Sequence, residues 1–119
     1  MPLQKKMLII DDERDFCALV ALMMQREPYL IYCAYNLLEA SQFLSKEHPE
    51  IVLLDHNLPD GTGLDYYNQH RKDFARAKIV LMTADPSPEM RNRAKEAGID
   101  FLAKPFGLSK IREMIKSAA

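Results

Sequence analysis

Residues 51–65 read IVLLDHNLPDGTGLD. The first four are apolar and do not alternate with polar residues, the pattern of a strand covered on both faces. A carboxylate, Asp55, ends the run. A loop containing Pro59, Gly61 and Gly63 follows, after which Leu64 and Tyr67 begin a helical spacing. The unit is therefore strand, acidic end, loop and helix.

Outward from this stretch the same unit recurs. Strands are expected at 7–10 (MLII), 29–34 (YLIYCA), 51–54, 79–83 (IVLMT) and 100–103 (DFLA). Phe16, Leu19, Val20 and Met23 give a first helix that Pro28 ends. Leu37, Ala40 and Leu44 give a second, capped by Asn36, and Leu64 and Tyr67 mark a third. Ser87 followed by Pro88 reads as an N-cap with proline at the first helical position. Met90, Ala94 and Ala97 are the inward face of that fourth helix, and Gly98 closes it. Leu108, Ile111 and Ile115 form a fifth. Strand–helix units in series imply parallel strands with right-handed crossovers and helices on both faces. The expectation is an α/β fold, a doubly wound five-stranded parallel sheet, in a single domain over 1–119 with no output domain.

A chain of 119 residues buries roughly two-thirds of the surface it exposes when unfolded, enough to fold without disulfides or a structural metal. Hydrophobic residues make up 48% and charged residues 28%. The net charge of −1 provides no field to attract nucleic acid or an anionic membrane. Cys17 and Cys33 sit in the apolar runs DFCALV and LIYCAY and are expected as buried, reduced thiols. No apolar run approaches the ~18 residues of a membrane span, and MPLQKKMLIIDD lacks a signal-peptide layout. A cytoplasmic location is expected.

In a doubly wound sheet, ligands bind outside the carboxyl ends of the strands. Asp11 and Asp12 follow the first strand, Asp55 the third, Thr83 ends the fourth and Lys104 follows the fifth. Singly, each has a plain reading: a helix N-terminus favours Asp11-Asp12, and Asp55 suits a turn. Jointly they bring three carboxylates, a hydroxyl and an ammonium to one edge. Carboxylates ~4 Å apart repel by ~4 kcal/mol per pair at an effective dielectric of 20, so the cluster must bind protons or a cation. An all-oxygen donor set suits Mg²⁺ before Zn²⁺. Lys104 and Thr83 could hold phosphate oxygens, and an ionised Asp is a competent nucleophile for phosphorus. His48, His56 and His70 show no metal-ligand spacing, and His56 is expected to face solvent.

The runs LIIDDE (8–13), IVLLDHNLPDGTGLD (51–65), IVLMTA (79–84) and FLAKPF (101–106) resemble the four motifs of response-regulator receiver domains, the CheY-like family of two-component signalling. The likeness covers nearly the whole chain. It implies strand order 2-1-3-4-5 and phosphorylation of Asp55 by a sensor histidine kinase or phosphotransfer protein. It further implies Mg²⁺ held by Asp12, Asp55 and the Asn57 backbone carbonyl, with Asp11 reaching the metal largely through water. Thr83 matches the switch hydroxyl, Lys104 its partner lysine, and Pro105 the proline after a cis peptide. Phe101 matches the aromatic switch, without the hydroxyl of the more usual Tyr. Asn57, Ala84 and Asp85 match positions that tune access and dephosphorylation. The fourth helix, fifth strand and fifth helix match the surface used for docking or homodimerisation.

Two other classes compete with the phospho-acceptor switch. A receiver-like interaction module that is never phosphorylated would usually lack one of the key side chains. An aspartyl phosphatase would need Asp-x-Asp at the first strand end, where Asp11 and Asp12 are adjacent, and a flavin protein would need a hydroxyl-rich loop where DDERD stands.

Overall fold

The computed structural model describes residues 5–116. In chain order the elements are β1 (Lys5–Ile10), α1 (Arg14–Met23), β2 (Tyr29–Ala34), α2 (Leu37–Leu44), β3 (Ile51–Asp55), β4 (Asn57–Leu58), β5 (Gly61–Thr62), α3 (Gly63–Gln69), α4 (Arg71–Phe74), β6 (Lys78–Thr83), α5 (Pro88–Ala97), β7 (Asp100–Ala103) and α6 (Leu108–Lys116). Five strands form one parallel sheet in the order β2-β1-β3-β6-β7. Counted along this sheet alone, that is the expected 2-1-3-4-5 order of the flavodoxin-like fold.

Successive residues of a strand point to opposite faces, and the central strands bury both. From β1, Leu8 and Ile10 enter one layer with α2, α3 and α5, whereas Met7 and Ile9 enter the other with α1 and α6. In β3, Val52 and Leu54 join the first layer and Ile51 and Leu53 the second. This two-sided demand explains why 51–54 is apolar without alternation.

Local signals set the helix ends. The Asn36 side chain accepts the Glu39 amide N–H at 2.8 Å, capping α2. Ser87 does the same for Met90 at 3.2 Å, with Pro88 opening α5. Gly98 closes α5 at φ 75°, a left-handed conformation that glycine adopts without a Cβ clash.

The structure departs from the sequence expectations at several places. The first helix ends at Met23 rather than at Pro28. Its buried residues are Cys17 and Val20, joined by Met24 just past its end, while Leu19 is 49% exposed. The third helix breaks at His70, whose backbone (φ −127°, ψ 32°) is not helical; its ring stacks on Tyr66 at 4.1 Å, and α4 then buries Phe74. The antiparallel pair β4–β5 has no counterpart among the expected strands. It is tied to α2 by the Asp60 carboxylate, which accepts the Leu37 and Leu38 amides at 2.9 and 3.0 Å. Both cysteines are free thiols; Cys17 is buried as expected, but Cys33 only half so, because β2 is an edge strand.

Ile111 of α6 is wholly buried against the β1–β3–β6 surface of the second layer. Ile111→Ala is expected to lower unfolding free energy by about 2–5 kcal/mol, measurable by urea denaturation.

Candidate functional site

Three carboxylates meet at the carboxyl edge of the sheet. Asp11 leaves β1 with its amide N–H donating to the Ala34 carbonyl of β2 at 3.0 Å, so it is fixed by the sheet rather than by a loop. Asp55 is the last residue of β3 and is 5% exposed. Asp12 is exposed, on the open side. One oxygen from each of Asp11, Asp12 and Asp55 lies within 4.8 Å of the others. The Lys104 amide donates to the Thr83 carbonyl at 2.8 Å, anchoring the lysine at the end of β7. Its Nζ stands 3.2 Å from Asp55 Oδ1, 3.6 Å from Asp11 Oδ2 and 3.7 Å from Glu13 Oε1.

One ammonium thus faces several carboxylates. Burial, then the neighbouring Asp11 charge, pushes the Asp55 carboxyl up to about 6, against the opposing pull of Lys104. Burial also raises Asp11. Lys104 is raised as well, because Asp11 and Asp55 outweigh its own desolvation.

Asp11 Oδ1 accepts the Glu13 amide at 2.9 Å, but the buried Oδ2 has no hydrogen-bond partner. A buried acceptor of this kind costs free energy until something satisfies it. This oxygen, with only the Lys104 ammonium 3.6 Å away, the Asp12 and Asp55 carboxylates beside it and the absence of sulfur or imidazole donors from the group fit a hard divalent cation.

Thr83 is buried at the end of β6, and its Oγ1 accepts the Asp85 amide at 3.1 Å. Ala84, Asp85 and Asn57 are exposed. The Lys104–Pro105 peptide is cis. Phe101 of β7 is half-buried, with the Arg91 guanidinium 4.6 Å from its ring centroid.

Sequence reading missed three contributors. Glu13 extends the acidic pair to reach Lys104, a role the run DDE could have suggested. His56 is buried rather than solvent-facing: its Nδ1 accepts the Leu64 amide in a long 3.4 Å bond, and burial and then Arg93 push its imidazole down, favouring the neutral ring. Gly63 donates its amide to the His56 carbonyl at 2.8 Å, and a Cβ there would overlap the Asp55 carbonyl oxygen. The second glycine of DGTG therefore lets the loop close over the acidic strand end.

The profile of the family described as response regulator receiver domain matches residues 7–116. The chain belongs to this family. This receiver domain is 34% identical over 116 residues to response regulator protein PilR of Pseudomonas aeruginosa, covering 97% of the chain but 26% of PilR. The chain thus spans about a quarter of that relative. It is 30% identical over 115 residues to sporulation initiation phosphotransferase F of Bacillus subtilis, covering 96% of the chain and 93% of the relative. Among solved structures, a Burkholderia pseudomallei response regulator protein with a phosphorylated aspartic acid, calcium ion and citrate matches with TM-score 0.80 and 28% identity, over 90% of this chain and 64% of that one.

The raised Asp55 carboxyl has a thermodynamic consequence in the metal-free receiver domain. Its folded value of about 6 lies above the ordinary 3.8, so the native state holds the proton longer than the unfolded chain. Its contribution to stability is full below pH 3.8 and is lost as pH rises through about 6, a loss on the order of 3 kcal/mol. With chelator present, Asp55→Asn is therefore expected to be more stable than wild type at pH 8 by about 1–3 kcal/mol. The advantage should shrink at pH 5. Urea unfolding at the two pH values measures it.

Proposed function

We propose that this receiver domain accepts a phosphoryl group on Asp55 from the phosphohistidine of a sensor histidine kinase or phosphotransfer protein, in a Mg²⁺-dependent reaction, and thereby switches a partner surface. The observation that carries this reading is the convergence of Asp11, Asp12 and Asp55 within 4.8 Å, with Lys104 Nζ 3.2 Å from Asp55. The phosphorylated aspartic acid and calcium ion of the Burkholderia pseudomallei protein add support by similarity. The reaction modifies the domain's own side chain, so it is a switch rather than a turnover enzyme acting on a separate substrate.

Asp11, Asp12 and Asp55 would hold the ion, with the Asn57 backbone carbonyl as a further ligand. Bound Mg²⁺ supplies charge neutralisation and coordination sites for phosphoryl oxygens. The ionised Asp55 carboxylate attacks phosphorus; an O–P bond forms as the N–P bond of the donor breaks, and the imidazole keeps that electron pair. Lys104 moves from the carboxylates to a phosphoryl oxygen. The Thr83 oxygen accepts from Asp85, leaving its O–H available to donate to a second phosphoryl oxygen. Exposed Asn57, Ala84 and Asp85 line the approach, where they govern entry of donor and hydrolytic water.

The switch is a population shift. Movement of Thr83 toward the phosphoryl group draws in the loop before α5, and Phe101 takes the space it leaves. The affected surface comprises α5, β7 and α6, suited to a docking partner or a second copy of the chain.

Incubation with Mg²⁺ and a small phosphodonor such as acetyl phosphate is expected to add one phosphoryl group to wild type and none to Asp55→Asn, read by intact mass. Lys104→Ala should slow the reaction by about 100-fold or more, the usual cost of losing a donor to developing negative charge. Equal modification of wild type and Asp55→Asn would refute the acceptor assignment, and no modification of wild type would favour an interaction module without phosphorylation.

A further inference from the structure

The loop between Thr83 and α5 is joined to Phe101 by a continuous set of contacts. The Asp85 amide donates to Thr83 Oγ1 at 3.1 Å, and the Ser87 amide to Asp85 Oδ1 at 2.9 Å. Ser87 Oγ in turn accepts the Met90 amide at 3.2 Å, fixing this turn to the start of α5. Arg91, the next residue, donates from Nε to the Pro86 carbonyl at 3.3 Å while its guanidinium lies 4.6 Å from the Phe101 ring centroid. Arg93, on the same helix, instead pairs with Asp65 at 2.8 Å. Among the described residues, Arg91 is the α5 cation placed on the ring.

We propose that Arg91 is the positioning residue that couples the Thr83 loop to Phe101, holding the ring in its resting place through the guanidinium and releasing it when the loop moves. This rests on the phospho-acceptor reading above. Thr83 turning toward a phosphoryl oxygen pulls on the Asp85 amide that its Oγ1 accepts. The 85–87 turn follows, and the Pro86 carbonyl carries Arg91 off the ring. Phe101 has no hydroxyl by which the loop could hold it, so its π-face is the available polar handle. The interaction belongs to the resting state and therefore opposes switching.

The test uses 4-fluorophenylalanine labelling and ¹⁹F NMR, with the Phe101 signal assigned by Phe101→Leu among the 5 phenylalanines. In ligand-free protein, Arg91→Ala is expected to shift the Phe101 resonance. With Mg²⁺ and beryllofluoride, it should lower the half-saturating beryllofluoride concentration by about 2–5-fold, the equivalent of removing one exposed cation–π interaction from the resting state. A merely structural role would weaken binding or leave it unchanged. In a Phe101→Leu background, Arg91→Ala should have no effect on half-saturation. Arg91→Lys, which keeps the charge but not the Nε donor, should fall between wild type and Arg91→Ala. An unmoved Phe101 resonance in ligand-free Arg91→Ala overturns the proposal, as does an equal drop in the Phe101→Leu background. Failure of wild type to take up beryllofluoride would count against the phospho-acceptor reading instead, and the ligand-free resonance would then decide the Arg91 interaction by itself.

Discussion

Buried negative charge is the constraint that organises this molecule. Asp11 and Asp55 are almost wholly removed from water, Asp12 stands beside them and Lys104 is shared among Asp11, Asp55 and Glu13. At these separations like charges repel by several kcal/mol at an intermediate dielectric, and one ammonium does not cancel them. A chain that relaxed freely would separate the groups. Here the backbone prevents it: Asp11, His56 and Lys104 are each hydrogen-bonded across to a neighbouring strand, at the Ala34, Met82 and Thr83 carbonyls. The site is held against its own repulsion by the sheet. On the proposed reading, that unrelieved repulsion is what a cation and an incoming phosphoryl group would together offset.

The stability needed to hold it comes from the two apolar layers. The central strands bury side chains on both faces, and their register fixes which carboxylate neighbours which. Met82 lies opposite Asp55 and Ala103 opposite Thr83, so the polar ends are aligned by apolar pairing further along the strands. A one-residue slip would exchange the layers for every side chain of that strand. Packing and chemistry are therefore specified by the same residues.

The fold was largely legible because parallel strands covered on both faces leave an unusual trace, short unbroken apolar runs such as IVLL. The acidic cluster was legible because topology alone sends strand ends to one edge. What escaped reading depended on side chains whose placement is decided by tertiary contact. Leu19 fits the helical spacing but sits at the rim of the α1 interface, where spacing does not separate it from Val20. His56 has the sequence surroundings of a loop residue, yet closure of the Gly63 turn buries its ring beneath α3. The break at His70 comes from stacking on Tyr66 and the demand of Phe74 for the core, neither of which has a local signature. Arg91 is one of several charged residues on α5, and only the folded arrangement distinguishes the one lying on Phe101.

The sheet also acts as a partition. Phe101 and α5 pack with the layer that contains α2 and α3, whereas Phe106, Leu108 and α6 pack with α1 on the far side. Inherited changes on the α1–α6 side can accumulate without disturbing the ring's surroundings, and the reverse also holds. On the proposed reading, a lineage could alter the α6 part of the docking surface and the surroundings of Phe101 as separate traits, with the edge strand β7 as their common border.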